Sequence, residues 1–140
     1  AQYHPGGSIG RKLLLQVDEV MRTGDDVARV ALDTPMPAAI LEITSKRIGA
    51  TCVMDDNGKL AGIITDGDLR RYMEKKDDMW QLTARDMMCP NPKCIPAGIL
   101  AAKALHEMEK YSINQLIVVD SGNNPVGMVH VHDLLKAGIA

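Results

Sequence analysis

The chain of 140 residues lacks an excess of basic charge, since 16 Lys and Arg stand against 18 Asp and Glu for a formal net charge of −2. It has no basic stripe with which to neutralise phosphates, so nucleic acid is not expected as a partner. No apolar run approaches the roughly 20 residues that span a bilayer, and the first residues, Ala1 to Gly7, lack the charged-then-apolar layout of a secretory signal. A soluble protein without a membrane partner is expected. Cysteine is scarce, and Cys52, Cys89 and Cys94 are odd in number with no framework spacing. That pattern suits a reducing compartment, and points to the cytoplasm. Also missing are a nucleophile paired with a base, a glycine loop that cradles phosphate, and a set of metal ligands, the marks by which common enzyme classes show themselves. Cys89 and Cys94 make half a zinc knuckle with no second pair, and His130, His132 and Asp133 are too close in sequence to aim together at one ion. No metal and no required cofactor are expected.

What the chain does have is itself, twice. Sliding it by 65 positions lays residues 30–71 onto 95–136 without a gap, with identities at Ala39/Ala104, Glu42/Glu107, Ile48/Ile113, Gly62/Gly127 and Asp68/Asp133. Each copy alone is too small to bury its apolar face, so the two are expected to stack, with clefts at the seam. Within a copy the predicted order is strand, helix, strand, strand, short helix. Ala39, Ile40 and Ile43, like Ala101, Ala104, Leu105 and Met108, recur at helical steps. The apolar runs 50–54 and 115–119 end in Asp-, Asn- and Gly-rich turns and read as first arms of hairpins. The return arms 60–64 and 126–129 each hold a glycine, Gly62 or Gly127, which signals close approach by another backbone or by a ligand. The nine methionines read as filler of irregular cores, and Trp80 as the residue that seats the connection between copies.

After each return arm a helix begins. Thr65 followed three residues later by Asp68 has the form of a capping box, and capping alone is one reading of the pair. In the second copy His130 replaces the threonine while Asp133 stays in register, so the acid persists where the capping hydroxyl does not. A carboxylate accepts hydrogen bonds only, which makes it a good partner for the two donors of a vicinal diol. Asp66 and Asp68 put negative charge on the first turn, against an anion there. Cationic help for a phosphate would come from elsewhere, with Arg29, Lys46 and Arg47 as donors.

Gly-apolar-apolar-Thr-x-x-Asp after a hairpin, written twice, resembles the cystathionine-β-synthase (CBS) domain pair. The resemblance covers roughly residues 16–138 and implies an α+β fold, a tandem CBS-domain pair of two β-α-β-β-α repeats related by pseudo-two-fold symmetry. It also implies adenosine nucleotides such as AMP or ATP in clefts between the repeats, with Asp68 and Asp133 on ribose hydroxyls and Thr65 and His130 near ribose and phosphate. Val30, Ala31, Ile48 and Ala50 would contact the base, or else simply pack in the core. His130 departs from the usual Thr or Ser. A module of this kind that binds nothing and only builds an oligomer is the alternative.

A second resemblance is carried by residues 4–15, from His4-Pro-Gly-Gly through Leu15, with Val20, Met21 and the run Thr65 to Arg71. These look like the C-terminal half of bacterial D-arabinose-5-phosphate isomerases, which join a sugar-isomerase (SIS) domain to a CBS pair. On that resemblance residues 1–15 are the tail of a missing SIS domain and its linker, 16–78 the first repeat and 79–140 the second. The full-length enzyme would interconvert D-ribulose 5-phosphate and D-arabinose 5-phosphate for Kdo and lipopolysaccharide biosynthesis, with His4 as its active-site histidine. This chain alone would be inactive, its ligand a nucleotide or the cytidine compound CMP-Kdo, and its assembly a homo-oligomer through the CBS pair and the SIS domain.

Overall fold

The computed structural model describes residue 10 and residues 12–75 and 78–139. The first copy runs β1 (Arg29–Ala31), α1 (Met36–Lys46), β2 (Ala50–Met54), β3 (Leu60–Thr65) and α2 (Asp66–Glu74). After α3 (Ala84–Met87) and β4 (Cys89–Pro90), the second repeats the plan as β5 (Cys94–Pro96), α4 (Ala101–Tyr111), β6 (Gln115–Val119), β7 (Pro125–His130) and α5 (Val131–Lys136). This is the α+β order that the repeat predicts. In each copy the first strand lies parallel to the second, and the second pairs antiparallel with the third. β4 adds to the free edge of β3, giving one sheet of four strands and one of three.

The hairpins form where the turn chemistry places them. Asp55 Oδ1 accepts the N–H groups of Asn57 and Lys59, and Asp120 Oδ1 those of Gly122 and Asn124, so each aspartate holds its own turn closed. Those hydrogen bonds also pull the Asp120 carboxyl below its ordinary value, the backbone N–H of Asn124 first among them. The helices bury the faces that the sequence marks: Met36, Ala39 and Ile43 of α1, and Ala101, Ala104 and Met108 of α4.

Neither α1 nor α4 has a side chain capping its N-terminus. Their first free amides are met from far along the chain instead, Met36 N–H donating to the Leu82 carbonyl at 3.0 Å and Ala101 N–H to that of Leu15 at 2.7 Å. An orphan donor at a buried helix end is thereby satisfied, and the consequence is an exchange of segments. The stretch that precedes the first copy closes the second, where Val17 joins the core with Leu15, Val20 and Met21 packed against it. The stretch that precedes the second copy closes the first, through Ala84 and Met87 with Leu82 and Met88. Between the sheets lies a shared core, Val27, Ile48, Ala50 and Cys52 from one side meeting Ile117 and Met128 from the other.

The two in-strand glycines belong to this exchange. A Cβ on Gly62 would lie 2.8 Å from the Cys89 carbonyl oxygen, and one on Gly127 2.9 Å from that of Arg22. Of the two explanations open from sequence, close backbone approach is the one found. The expectation for Trp80 needs correction. Its side chain is 59% exposed, because the single turn Met79–Gln81, capped by Asp78, directs Met79 inward instead.

Candidate ligand cleft between the repeats

Both strand-to-helix junctions are capping boxes. Thr65 Oγ1 accepts the Asp68 N–H at 3.1 Å while the Thr65 N–H donates to Asp68 Oδ2 at 2.9 Å. At α5 the ring of His130 does the work of the hydroxyl, its Nδ1 accepting the His132 N–H at 3.0 Å, while the His130 N–H donates to Asp133 Oδ2 at 3.0 Å. An imidazole can accept there only when Nδ1 carries no proton. Burial, with His132 and Arg22 nearby, lowers the His130 pKa, against an opposing pull from Asp133, and so favours that neutral form.

A cleft of about 350 Å³ opens between the two junctions. Ile48, Gly49 and Thr65 border it from the first repeat and their equivalents Ile113, Asn114 and His130 from the second, so it straddles the pseudo-two-fold axis. Its halves differ in chemistry. Arg70 and Arg71 of α2 line it from the first repeat together with the acidic Asp66, and Asn114 and Gln115 line it from the second. Gly67 makes room for this, because a Cβ there would sit 3.3 Å from Arg71 Nη1.

The expected site residues divide. Thr65, His130 and the almost wholly buried Ile48 line the cleft. Asp68 borders a separate groove between α2 and α3 with Tyr72 and Lys75, and its Oδ1 pairs with Arg71 Nη2 at 2.6 Å. Arg71 borders both depressions, which ties the two together. Asp133 is gripped by Arg22, whose Nε and Nη2 fork its carboxylate at 3.3 and 3.2 Å. Ala50 is fully buried in the shared core, Val30 packs on the core of the first repeat, and Ala31 is exposed on β1, an edge strand. None of the three borders the cleft. His4 lies outside the described residues.

Of the cations suggested for phosphate, none lines the cleft, and the side chains of Arg29 and Lys46 are occupied elsewhere. Arg29 donates to the carbonyls of Gly24 and Pro125, Lys46 to that of Asp25, and Arg47 forms the left-handed cap of α1. Arg70 and Arg71, which sequence reasoning passed over, hold the position instead. The signal for Arg71 was its i, i+4 spacing from Gly67, which places it over the first turn of the helix. Among the described residues no group of three or more His, Cys, Asp or Glu side chains could hold a metal ion, and no helix is long and apolar enough to cross a membrane.

Comparison with known proteins places this geometry. The chain is 48% identical over 136 residues to arabinose 5-phosphate isomerase KdsD of Pseudomonas aeruginosa and 44% identical to that of Escherichia coli K12, covering 97% of this chain in both cases. It spans only 42% and 41% of the length of those relatives. Among solved structures, CBSX2 in complex with AMP superposes with a TM-score of 0.75 at 21% identity, covering 89% of this chain and 96% of that one. The CBS domain of the bacterial CNNM/CorC family Mg2+ transporter in complex with ATP does so with a TM-score of 0.75 at 20% identity, covering 94% and 92%. The model of the CBS domain matches residues 17–75 and again 84–140, so the chain belongs to the CBS domain family and carries two copies of that domain in tandem.

Proposed function

We propose that this chain is the regulatory CBS pair of a cytoplasmic arabinose 5-phosphate isomerase, and that it senses a nucleotide in the cleft between its repeats. The identity to KdsD over nearly the whole chain supports the assignment to that enzyme. In the full-length protein the reaction would interconvert D-ribulose 5-phosphate and D-arabinose 5-phosphate through an enediol. A histidine titrating near neutrality, His4, would serve that proton transfer. The pair alone would be inactive, and the whole protein a homo-oligomer.

The observation that carries the ligand reading is the two-sided chemistry of the cleft. Guanidinium groups of Arg70 and Arg71, which outnumber the one carboxylate of Asp66 beside them, would suit a phosphate bidentately, and Asn114 and Gln115, which line the cleft with Thr65 and His130, would offer amides to the edge of a base. Asp68 would accept ribose hydroxyls once Arg71 leaves it for the phosphate. Arg71 is 67% exposed, and such an exposed pair contributes only about 0–1 kcal/mol, less than the roughly 1.5–3 kcal/mol of a hydrogen bond to a charged group. The AMP and ATP complexes of the structural neighbours support an adenine nucleotide. CMP-Kdo, the activated end product of the route, is the metabolic alternative and would give feedback.

One observation favours a second reading, a structural module that binds nothing: both carboxylates are already paired with arginines. Titration calorimetry with AMP, ATP, CMP and CMP-Kdo separates the two. Heat from one of them, weakened at least about tenfold by Asp68→Asn, is the expected outcome. No heat from any of the four would leave the structural module standing.

A further inference from the structure

The two capping aspartates hold equivalent positions and have unequal partners. Asp68 is paired along its own helix with an exposed side chain, Arg71. Asp133 is only 15% exposed and is forked by Arg22, a residue 111 positions away in the chain. That arginine is fixed at both ends. Its backbone exchanges two hydrogen bonds with Met128, at 2.7 and 3.0 Å, and its remaining Nη1 donates to the Lys46 carbonyl at the end of α1 at 3.1 Å. One guanidinium thus joins three parts: the segment before β1, the last helix of the second repeat, and the first helix of the first. Among the described residues the other half of the molecule shows no such fork. Cys89 pairs with Ile63 as Arg22 pairs with Met128, 65 positions on, and a cysteine cannot fork a carboxylate.

From this we infer that Asp133 is the anchor of Arg22 rather than a ligand acceptor, and that the chain binds a single nucleotide, in the cleft on the pseudo-two-fold axis. Both oxygens of Asp133 are committed, and a diol could reach them only by breaking a fork whose other end holds Lys46 in place. The single-ligand half of the inference rests on the nucleotide reading above. The anchoring half does not. The cleft itself is one depression shared by both copies, with its two cationic side chains on one side only, so a ligand bearing phosphate has one orientation there.

The test combines a double-mutant cycle in thermal unfolding, without ligand, with calorimetry on the same proteins using ATP and CMP as probes. Arg22→Gln and Asp133→Asn should each lower Tm by at least about 5 °C, and the double variant should fall no further than the worse single one. Additive losses, or singles that leave Tm unchanged, would overturn the anchor. Titration should give one site per chain, with affinity held within about twofold in Asp133→Asn. Two sites, or a loss of about tenfold in that variant, would overturn the single-ligand assignment. If neither of these probes, nor AMP or CMP-Kdo, gives heat with the unsubstituted chain, the nucleotide reading fails and takes the single-ligand half with it, while the Tm cycle still decides the anchor.

Discussion

Gly62 and Gly127 are the residues at which one methyl group decides how the repeats fit. At Gly62 an added Cβ meets a backbone oxygen and the Met88 sulfur at 2.6 Å, and the backbone atom cannot step aside as the end of a side chain can. Gly62→Ala is therefore expected to cost about 1–3 kcal/mol, the range of overpacked cores, read from chemical denaturation; a loss near zero would mean the exchanged segment is held loosely. The cysteines make a second contrast. Burial pushes the Cys52 thiol up to about 12 and raises that of Cys94, whereas Cys89 is exposed. An aromatic disulfide reagent at mildly alkaline pH should label Cys89 first and Cys52 only on unfolding, because the thiolate is the reactive form. Equal rates at both in the native protein would contradict the burial. Both glycines were legible in the sequence as points of close approach, since they recur in register inside strands. The Arg22–Asp133 pair was not, because nothing local signals a partner 111 residues away.

At the scale of elements, the strand-to-helix junctions are the informative parts. The hairpins and the two long helices were readable from alternating and helical periods and from turn residues. α3 and β4 were not, because they are too short to show a period and owe their form to pairing with β3 and to the carbonyls of Thr34 and Leu32. The capping box at α2 could be read directly. Its counterpart at α5 was hidden, since histidine is not a usual cap and only the geometry shows Nδ1 accepting a hydrogen bond. This gives α5 a pH dependence of definite sign. Folding lowers the His130 pKa, through burial above all, so below the unfolded value of about 6.5 the unfolded chain holds more protons than the folded one. The contribution is complete above that value and is lost as pH falls from it through the lower folded value. Tm should therefore decline on acidification from about pH 7 to about pH 5, and His130→Thr, which restores a hydroxyl cap, should flatten that part of the curve. Identical slopes in the two proteins would show that the ring takes no part.

At the scale of the molecule, the exchanged segments and the shared core argue for one cooperative unit. Ile117 is fully buried where the two sheets meet, and Ile117→Ala is expected to cost about 2–5 kcal/mol with unfolding still in a single transition. Two separated transitions would show that the repeats fold independently. The duplicated pattern made this architecture legible, and with it the place of the cleft. The occupants of the cleft were harder to foresee, since Arg70 and Arg71 reach it only through the placement of α2 beside the second repeat. The most direct test of a nucleotide-binding cleft is NMR shift mapping of the labelled chain during titration with ATP and with CMP-Kdo. Saturable shifts concentrated at Gly49, Thr65 to Arg71, Asn114, Gln115 and His130 are the expected result. A spectrum unmoved by either compound, or shifts scattered over surfaces away from the axis, would contradict it.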